Sequence, residues 1–305
     1  MWFGKNIILL NLLTLLVASP TPPQPSKNCP VKCICEAGGA IVRCPGKTSL
    51  KDWQRIGTTI SKNAIQLEIA FVDFPYLMLS CFKKMPKLTL LRILGGKMKA
   101  FPAGLPKLFP ALTFLTIRGT EINCLPKTVF DDLQQLVNLN LGANKITRLS
   151  KHNFKGLDNL KVLNLERNQI NCIDKDSFVG LQNLLLVSLD SNKLTKLPTG
   201  LFDQISRQVI LIFSNNKIQK IQSGLFKPFL KISLLDLRGN EIAEIDDNAF
   251  EGLKPVSGSL GINLSNNPIV CNAKSSFSFS DGKFPEFLIF ATCPPKPRTV
   301  LHLAQ

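Results

Sequence analysis

The stretch LVNLNLGANKI, Leu136 to Ile146, decides the fold. Its leucines are spaced three and then two residues apart and run into an asparagine, with an isoleucine two residues later. The same pattern recurs 24 residues on as LKVLNLERNQI (Leu160–Ile170), and 24 further as LLLVSLDSNKL (Leu184–Leu194). A constant period of this kind marks a repeat array, in which one unit cannot bury its apolar edge and stacked neighbours share a single core.

Aligned on the asparagine, units begin at Ala64, Leu88, Leu112, Leu136, Leu160, Leu184, Gln208 and Ile232. A ninth is displaced by three residues, since Asn240 to Asn267 spans 27 and KPVSG (Lys254–Gly258) holds the insertion. Aliphatic residues at positions 1, 4 and 6 alternate as a short strand with one buried edge. Positions 11 and 14 are aliphatic, as in Ile146 and Leu149, and position 19 is phenylalanine from Phe130 through Phe154, Phe178, Phe202 and Phe226 to Phe250. Stacking at about 4.8 Å pairs the strands in parallel. An asparagine column at position 9 (Asn144, Asn168, Asn192, Asn216, Asn240, Asn267) can then satisfy backbone groups where each strand turns away. The phenylalanines fill the wider outer side. Val72 and Gly96 stand where asparagine belongs, which predicts a less regular beginning.

The remaining segments differ in kind. Residues 1–19 carry an early Lys5, an apolar run from Ile7 to Val17 and small Ala18 and Ser19, the pattern of a cleaved secretory signal. That run is too short to span a bilayer. A Pro-rich linker covers 20–28, a cysteine-rich unit 29–63, eight repeats 64–255, and a terminal repeat with a closing segment 256–305. No later segment reads as a membrane span, so the mature chain is expected outside the cell.

Nine cysteines in a secreted chain point to disulfides rather than zinc. Cys29, Cys33, Cys35 and Cys44 crowd together, whereas Cys81, Cys124 and Cys172 lie within repeats. Cys124 and Cys172 share position 13 two coils apart, too far for a disulfide, and are expected to be buried thiols.

The net charge of +16 comes from 37 basic and 21 acidic residues. It is uneven: residues 74–120 contain no acid but hold Lys83, Lys84, Lys87, Arg92, Lys97, Lys99, Lys107 and Arg118. The six lysines form a candidate polyanion site, or a solvated surface that keeps the chain soluble. For a secreted chain the expected anions are sulfated glycan, anionic lipid or microbial envelope polymer, with nucleic acid excluded.

The pattern LxxLxLxxNxIxxLxxxxFxxLxxL resembles the typical extracellular leucine-rich repeat of Slit, Toll-type receptor ectodomains and the variable lymphocyte receptors. The resemblance covers Ala64 to Ile269, and CPVKCIC…C and NPIVC…ATCPPKPRTVL resemble the family's terminal cysteine caps. It implies an α/β solenoid, a horseshoe with a parallel sheet on its concave face and short irregular or 3-10 segments outside. It also implies the pairs Cys29–Cys35, Cys33–Cys44 and Cys271–Cys293.

In such a solenoid, positions 3, 5, 7 and 8 of each strand face the hollow. Position 3 places Phe114, Val162, Leu186, Ile210 and Leu234 there as an apolar file, unless neighbouring strands cover it. Position 5 adds Arg92, Asn164, Ile212 and Asp236; position 7 adds Arg118, Glu166, Asp190 and Arg238; position 8 adds Arg167. An apolar stripe beside mixed charge fits an extracellular protein partner. The sequon Asn263-Leu264-Ser265 falls at the last unit, where an attached glycan would cover that end. With two histidines, one tyrosine and no catalytic or metal-ligand spacing, no enzyme, cofactor or metal is expected. The leading expectation is a secreted recognition protein, in innate recognition or extracellular signalling by fold-level analogy. Alternatives are a glycan-binding matrix scaffold and a non-catalytic subunit of a secreted enzyme complex.

Overall fold

The computed structural model describes residues 29–269 apart from 31–32, 77–78, 103, 128, 206–208, 230, 247–248, 251–252 and 256–260. The expected signal and linker (1–28), and Cys271 and Cys293, lie outside the described residues. The chain opens with a hairpin, β1 (Ile34–Glu36) and β2 (Ile41–Cys44), and then a helix, α1 (Leu50–Thr59). Cys29 bonds to Cys35 and Cys33 to Cys44, as the family resemblance implies. Ser49 starts α1 with a capping box, its side chain accepting from the Asp52 amide while Asp52 accepts from the Ser49 amide. The helix buries Trp53, whose ring lies 4.7 Å from Phe82 and 6.0 Å from Phe74.

One strand per coil then follows: β3 (Gln66–Val72), β4 (Leu90–Gly96), β5 (Phe114–Arg118), β6 (Asn138–Asn140), β7 (Val162–Asn164), β8 (Leu186–Ser188), β9 (Val209–Ile212), β10 (Lys231–Asp236) and β11 (Gly261–Asn263). These pair in parallel behind β2, and among the described residues of this sheet β1 alone is antiparallel. Position 3 defines the register: Gln66, Leu90, Phe114, Asn138, Val162, Leu186, Ile210, Leu234 and Gly261 are successive partners. The step is 24 residues until the last, which is 27, where the expected insertion falls. A bulge after Val209 pairs that residue with Ile232 but Ile210 with Leu234. Val209 is buried opposite Ile232, and Gln208, where this unit is expected to start, lies outside the described residues.

The asparagine column is built as reasoned. Each Nδ2 donates to the position-6 carbonyl of its own coil and to that of the coil before, at 2.8–3.1 Å. Each Oδ1 accepts a backbone N–H from the preceding coil at 3.0–3.1 Å. Where the column is missing, the expectation of irregularity fails. β3 and β4 are the longest strands, seven residues each, and pair as far as Val72 and Gly96. Without an amide to take over at position 9, the backbones satisfy each other directly. Gly96 permits it: at φ +111, an added Cβ would stand 2.2 Å from the Val72 oxygen.

On the outer side, the rings from Phe130 to Phe250 follow one another at 5.7–6.4 Å. Strands pack at about 4.8 Å, so the stack curves toward its sheet and the sheet lines the hollow. The fold is a leucine-rich repeat solenoid.

Candidate ligand-binding face

Positions 4 and 6, from Leu67 and Ile69 to Leu235 and Leu237, are buried in the main core. Alternation then points positions 3, 5 and 7 into the hollow. Val162, Leu186 and Ile210 form a second, separate apolar cluster there, flanked by half-buried Ile212 and Leu234. These three are only 6–8% exposed, so the expected solvent-facing stripe is corrected: in-register side chains one strand apart cover one another. Phe114, beside Asn138 rather than a second large aliphatic, keeps 42% of its surface exposed.

The charged residues are held rather than free. Arg118 donates to Glu166 at 2.6 Å although 48 residues separate them, reaching over the intervening coil at Gly142. A Cβ on Gly142 would lie 2.9 Å from the Arg118 Nη1 and 3.1 Å from the Glu166 Cγ. Asn164 is buried and accepts the Glu166 amide at 2.9 Å, and Asn140 and Asp236 do the same for Gly142 and Arg238. Asp190 accepts from Ser214 at 2.6 Å, Ser191 at 2.8 Å and Asn215 at 2.8 Å. Burial pushes its carboxyl up, but those three donors and the Arg238 charge outweigh it and hold the pKa below the ordinary value. Asp236 goes the other way: burial and the Asp190 charge raise it more than the Arg238 amide and charge lower it. Arg238 pairs with Asp236 at 3.3 Å, Arg92 pairs with Glu68 at 3.3 Å, and exposed Arg167 occupies left-handed backbone at φ +52.

The basic block splits between two limbs of the coil. Lys97 and Lys99 sit at positions 10 and 12, just past the strand, and Lys97 shares Asp73 with Lys47 at 3.1 and 2.7 Å. Hydrogen bonds from Lys47 and Lys97 hold the Asp73 carboxyl below its ordinary pKa. Lys83, Lys84, Lys87 and Lys107 are exposed at positions 20 to 24, on the return limb. The single continuous patch expected from sequence is therefore two.

Two further expectations change or gain detail. Cys124 is exposed and Cys172 half-exposed rather than buried, because position 13 points outward between buried positions 11 and 14. At the sequon, the Asn263 Oδ1 accepts from the Ser265 amide and hydroxyl at 3.1 and 2.8 Å.

Sequence reasoning placed the position files but missed Gly142 as a bridge and Asp73 as a shared counter-ion. The position-10 file Asp73, Lys97, Glu121, Lys145 was the available signal, because in-register neighbours of opposite sign meet, as Lys145 does with Glu121 at 3.2 Å.

Comparison with known proteins agrees with the fold. Residues 110–211 match the leucine rich repeat family model, in overlapping units at 110–170, 134–194 and 158–211. No curated protein matches this chain. A solved structure, the crystal structure of a TLR13-ssRNA13 complex, is similar at 21% identity and a TM-score of 0.62. The likeness covers 75% of this chain but 32% of that one, so this chain spans about a third of its length. That structure holds single-stranded RNA, which overturns the expectation excluding nucleic acid as a partner: a surface of this architecture is compatible with one. No helix among the described residues is long and apolar enough to cross a membrane.

Proposed function

We propose that this chain is a non-enzymatic recognition protein that holds a protein partner against its inner sheet. The observation that carries the reading is the fixed charge array between exposed Phe114 and Arg238, in which Arg118 and Glu166 clamp two coils together and Asp190 is held by three donors. Charges immobilised before binding lose little entropy on docking and favour partners of complementary pattern. Phe114 supplies an aromatic anchor at one end of that array. Two disulfides within residues 29–44 favour an oxidising, extracellular setting. A role in innate recognition or extracellular signalling rests on fold-level analogy.

The test is affinity capture of a partner by the wild-type chain, then titration of that partner against Phe114→Ala combined with Arg238→Glu. Phe114→Ala alone should melt with the wild type, Arg238→Glu should lower Tm because it replaces the cation beside Asp190 and Asp236, and the double variant should bind at least tenfold more weakly. Unchanged affinity would refute the inner-face reading. A second reading is favoured by the exposed return-limb lysines Lys83, Lys84, Lys87 and Lys107, whose side chains make no ion pair among the described residues; they would serve an extracellular scaffold that binds an anionic matrix glycan. Elution from heparin at physiological salt would remove it.

A further inference from the structure

The exposed phenylalanine and tyrosine rings among the described residues are Phe71, Tyr76 and Phe114. Two of them, Phe71 at 58% and Tyr76 at 64% exposure, lie at the end of β3 and just past it. Backbone hydrogen bonds set lysines beside both. The Thr48 amide donates to the Phe71 carbonyl at 3.0 Å, bringing Lys47 alongside; the Lys97 amide donates to Val72 at 2.8 Å, and the Lys99 amide to Pro75 at 2.9 Å, next to Tyr76. The rings are five residues apart, at most about 16 Å of chain, and between them the Lys47 and Lys97 ammonium groups meet at Asp73, at 2.7 and 3.1 Å.

Neither packing nor backbone geometry asks for an aromatic residue at Phe71. Its φ is +48, a left-handed conformation unfavourable for a bulky residue, and the same position elsewhere holds Gly95, Gly119, Ala143, Arg167, Ser191, Asn215 and Gly239. Gly95 carries no side chain to cover the ring: a Cβ there would stand 3.3 Å from it. Among the described residues Asp73 is the one carboxylate paired to these lysines, and it holds two of them while their side chains remain 73% and 69% exposed. Surface pairs of this kind are weak and exchange readily with an incoming anion.

We propose that this flank, built from Lys47, Phe71, Tyr76, Lys97 and Lys99, binds single-stranded nucleic acid, with bases stacked on the two rings and phosphates on the lysines. The site lies at position 8 and beyond on the first coils, at the edge of the sheet, and shares no residue with the Phe114–Arg238 array. Two exposed rings with cations gathered between them offer stacking faces and phosphate partners together, as an unpaired strand requires. An anionic polymer without planar bases would use the lysines and leave both rings idle, and a duplex would have its base faces already covered.

The experiment is fluorescence anisotropy of a labelled oligouridylate with the full chain, between roughly 50 and 200 mM salt. Heparin and an RNA duplex serve as competitors. Phe71→Asn, which copies Asn215 of a later coil, and Tyr76→Ser should each weaken binding about 5- to 100-fold, with heparin binding unchanged. Phe71→Tyr should bind as the wild type does, and Lys99→Ala should lower the salt slope by about 1. The proposal is overturned if the strand does not bind at low salt, if the duplex competes equally, or if both ring variants bind the strand like the wild type. Heparin binding that outlasts ring removal while RNA does no better than heparin would assign the flank to a sulfated polymer instead. Loss of partner binding at the inner sheet in the Phe114→Ala variant, with oligouridylate binding intact, would keep the two sites separate.

Discussion

Replacing Asn192 with alanine tests the feature on which the stack depends. Its Oδ1 is the acceptor for the Ile170 amide at 3.0 Å, and its Nδ2 donates to the Leu165 and Leu189 carbonyls at 3.0 Å each. Those carbonyls are not orphaned by the change, because Leu165 also accepts from Asn168 and Leu189 from Asn216. One buried N–H loses its side-chain acceptor, at about 1–3 kcal/mol, and two carbonyls each lose one of two donors, at about 0.5–1 kcal/mol each. The expected cost is therefore about 2–5 kcal/mol. The sharing also predicts coupling: Asn168→Ala with Asn192→Ala leaves the Leu165 carbonyl with neither amide and should cost about 1–2 kcal/mol more than the sum. Asn144→Ala with Asn192→Ala shares no carbonyl and should be additive. The assay is urea unfolding by far-ultraviolet circular dichroism, with Trp53 fluorescence reporting the N-terminal coil separately. A single-variant cost within about 0.5 kcal/mol of zero, or equal coupling in both doubles, would refute the bridging column.

Other outcomes follow from the same geometry. Asp236→Asn keeps the acceptor for the Arg238 amide and copies Asn140 and Asn164 of earlier coils, so it should stabilise the chain at neutral pH. Because Asp236 is raised when folded, its favourable contribution is present below about pH 4 and lost as pH rises through the raised value; the gain in Tm should fade on acidification. Gly96→Ala should cost about 3 kcal/mol or more by urea titration, since its Cβ meets the Val72 backbone. Gly142→Val should cost about 1–3 kcal/mol, since it crowds Arg118 Nη1, the Glu166 Cγ and the Asn140 Oδ1, and should weaken partner binding by breaking the Arg118–Glu166 bridge. A thiol reagent should modify exposed Cys124 first and Cys81 slowly, because burial pushes the Cys81 thiol pKa up; peptide mapping after a short pulse distinguishes them.

The fold was legible because each of its determinants repeats. Leucines at positions 1, 4 and 6, asparagine at 9 and phenylalanine at 19 report the same environment coil after coil, and the 27-residue final step could be read from one displaced asparagine. What escaped depends on pairs of coils rather than on one. The mutual cover of Val162, Leu186 and Ile210 needs three large side chains in successive register, and Phe114 stays open because Asn138 interrupts that succession. The Arg118–Glu166 bridge depends on an absence, the missing side chain at Gly142, which a list of charged residues cannot display. Cys124 was misplaced because position 13 alternates with two buried aliphatics, so neighbouring identity suggested burial that local direction denies.

The unequal strand lengths have a consequence for the flank of the first coils. From Asn144 onward the backbone turns early, with three or four paired residues in most coils, and amide side chains carry the hydrogen bonding at the bend. In the first two coils the sheet itself runs through that bend, and its ladder ends beside Phe71, Lys97 and the Lys47–Asp73 pair. A bend closed by main-chain pairing loses no hydrogen bond when a side chain is shortened, whereas a bend closed by asparagine does; its sensitive position is Gly96, where any Cβ would strike Val72. Gly96 apart, the side chains on the flank that carries the exposed rings are thus not needed for its backbone hydrogen bonding. Residues there can be chosen for what they touch rather than for folding, which is the circumstance in which a strained, solvent-facing phenylalanine can persist.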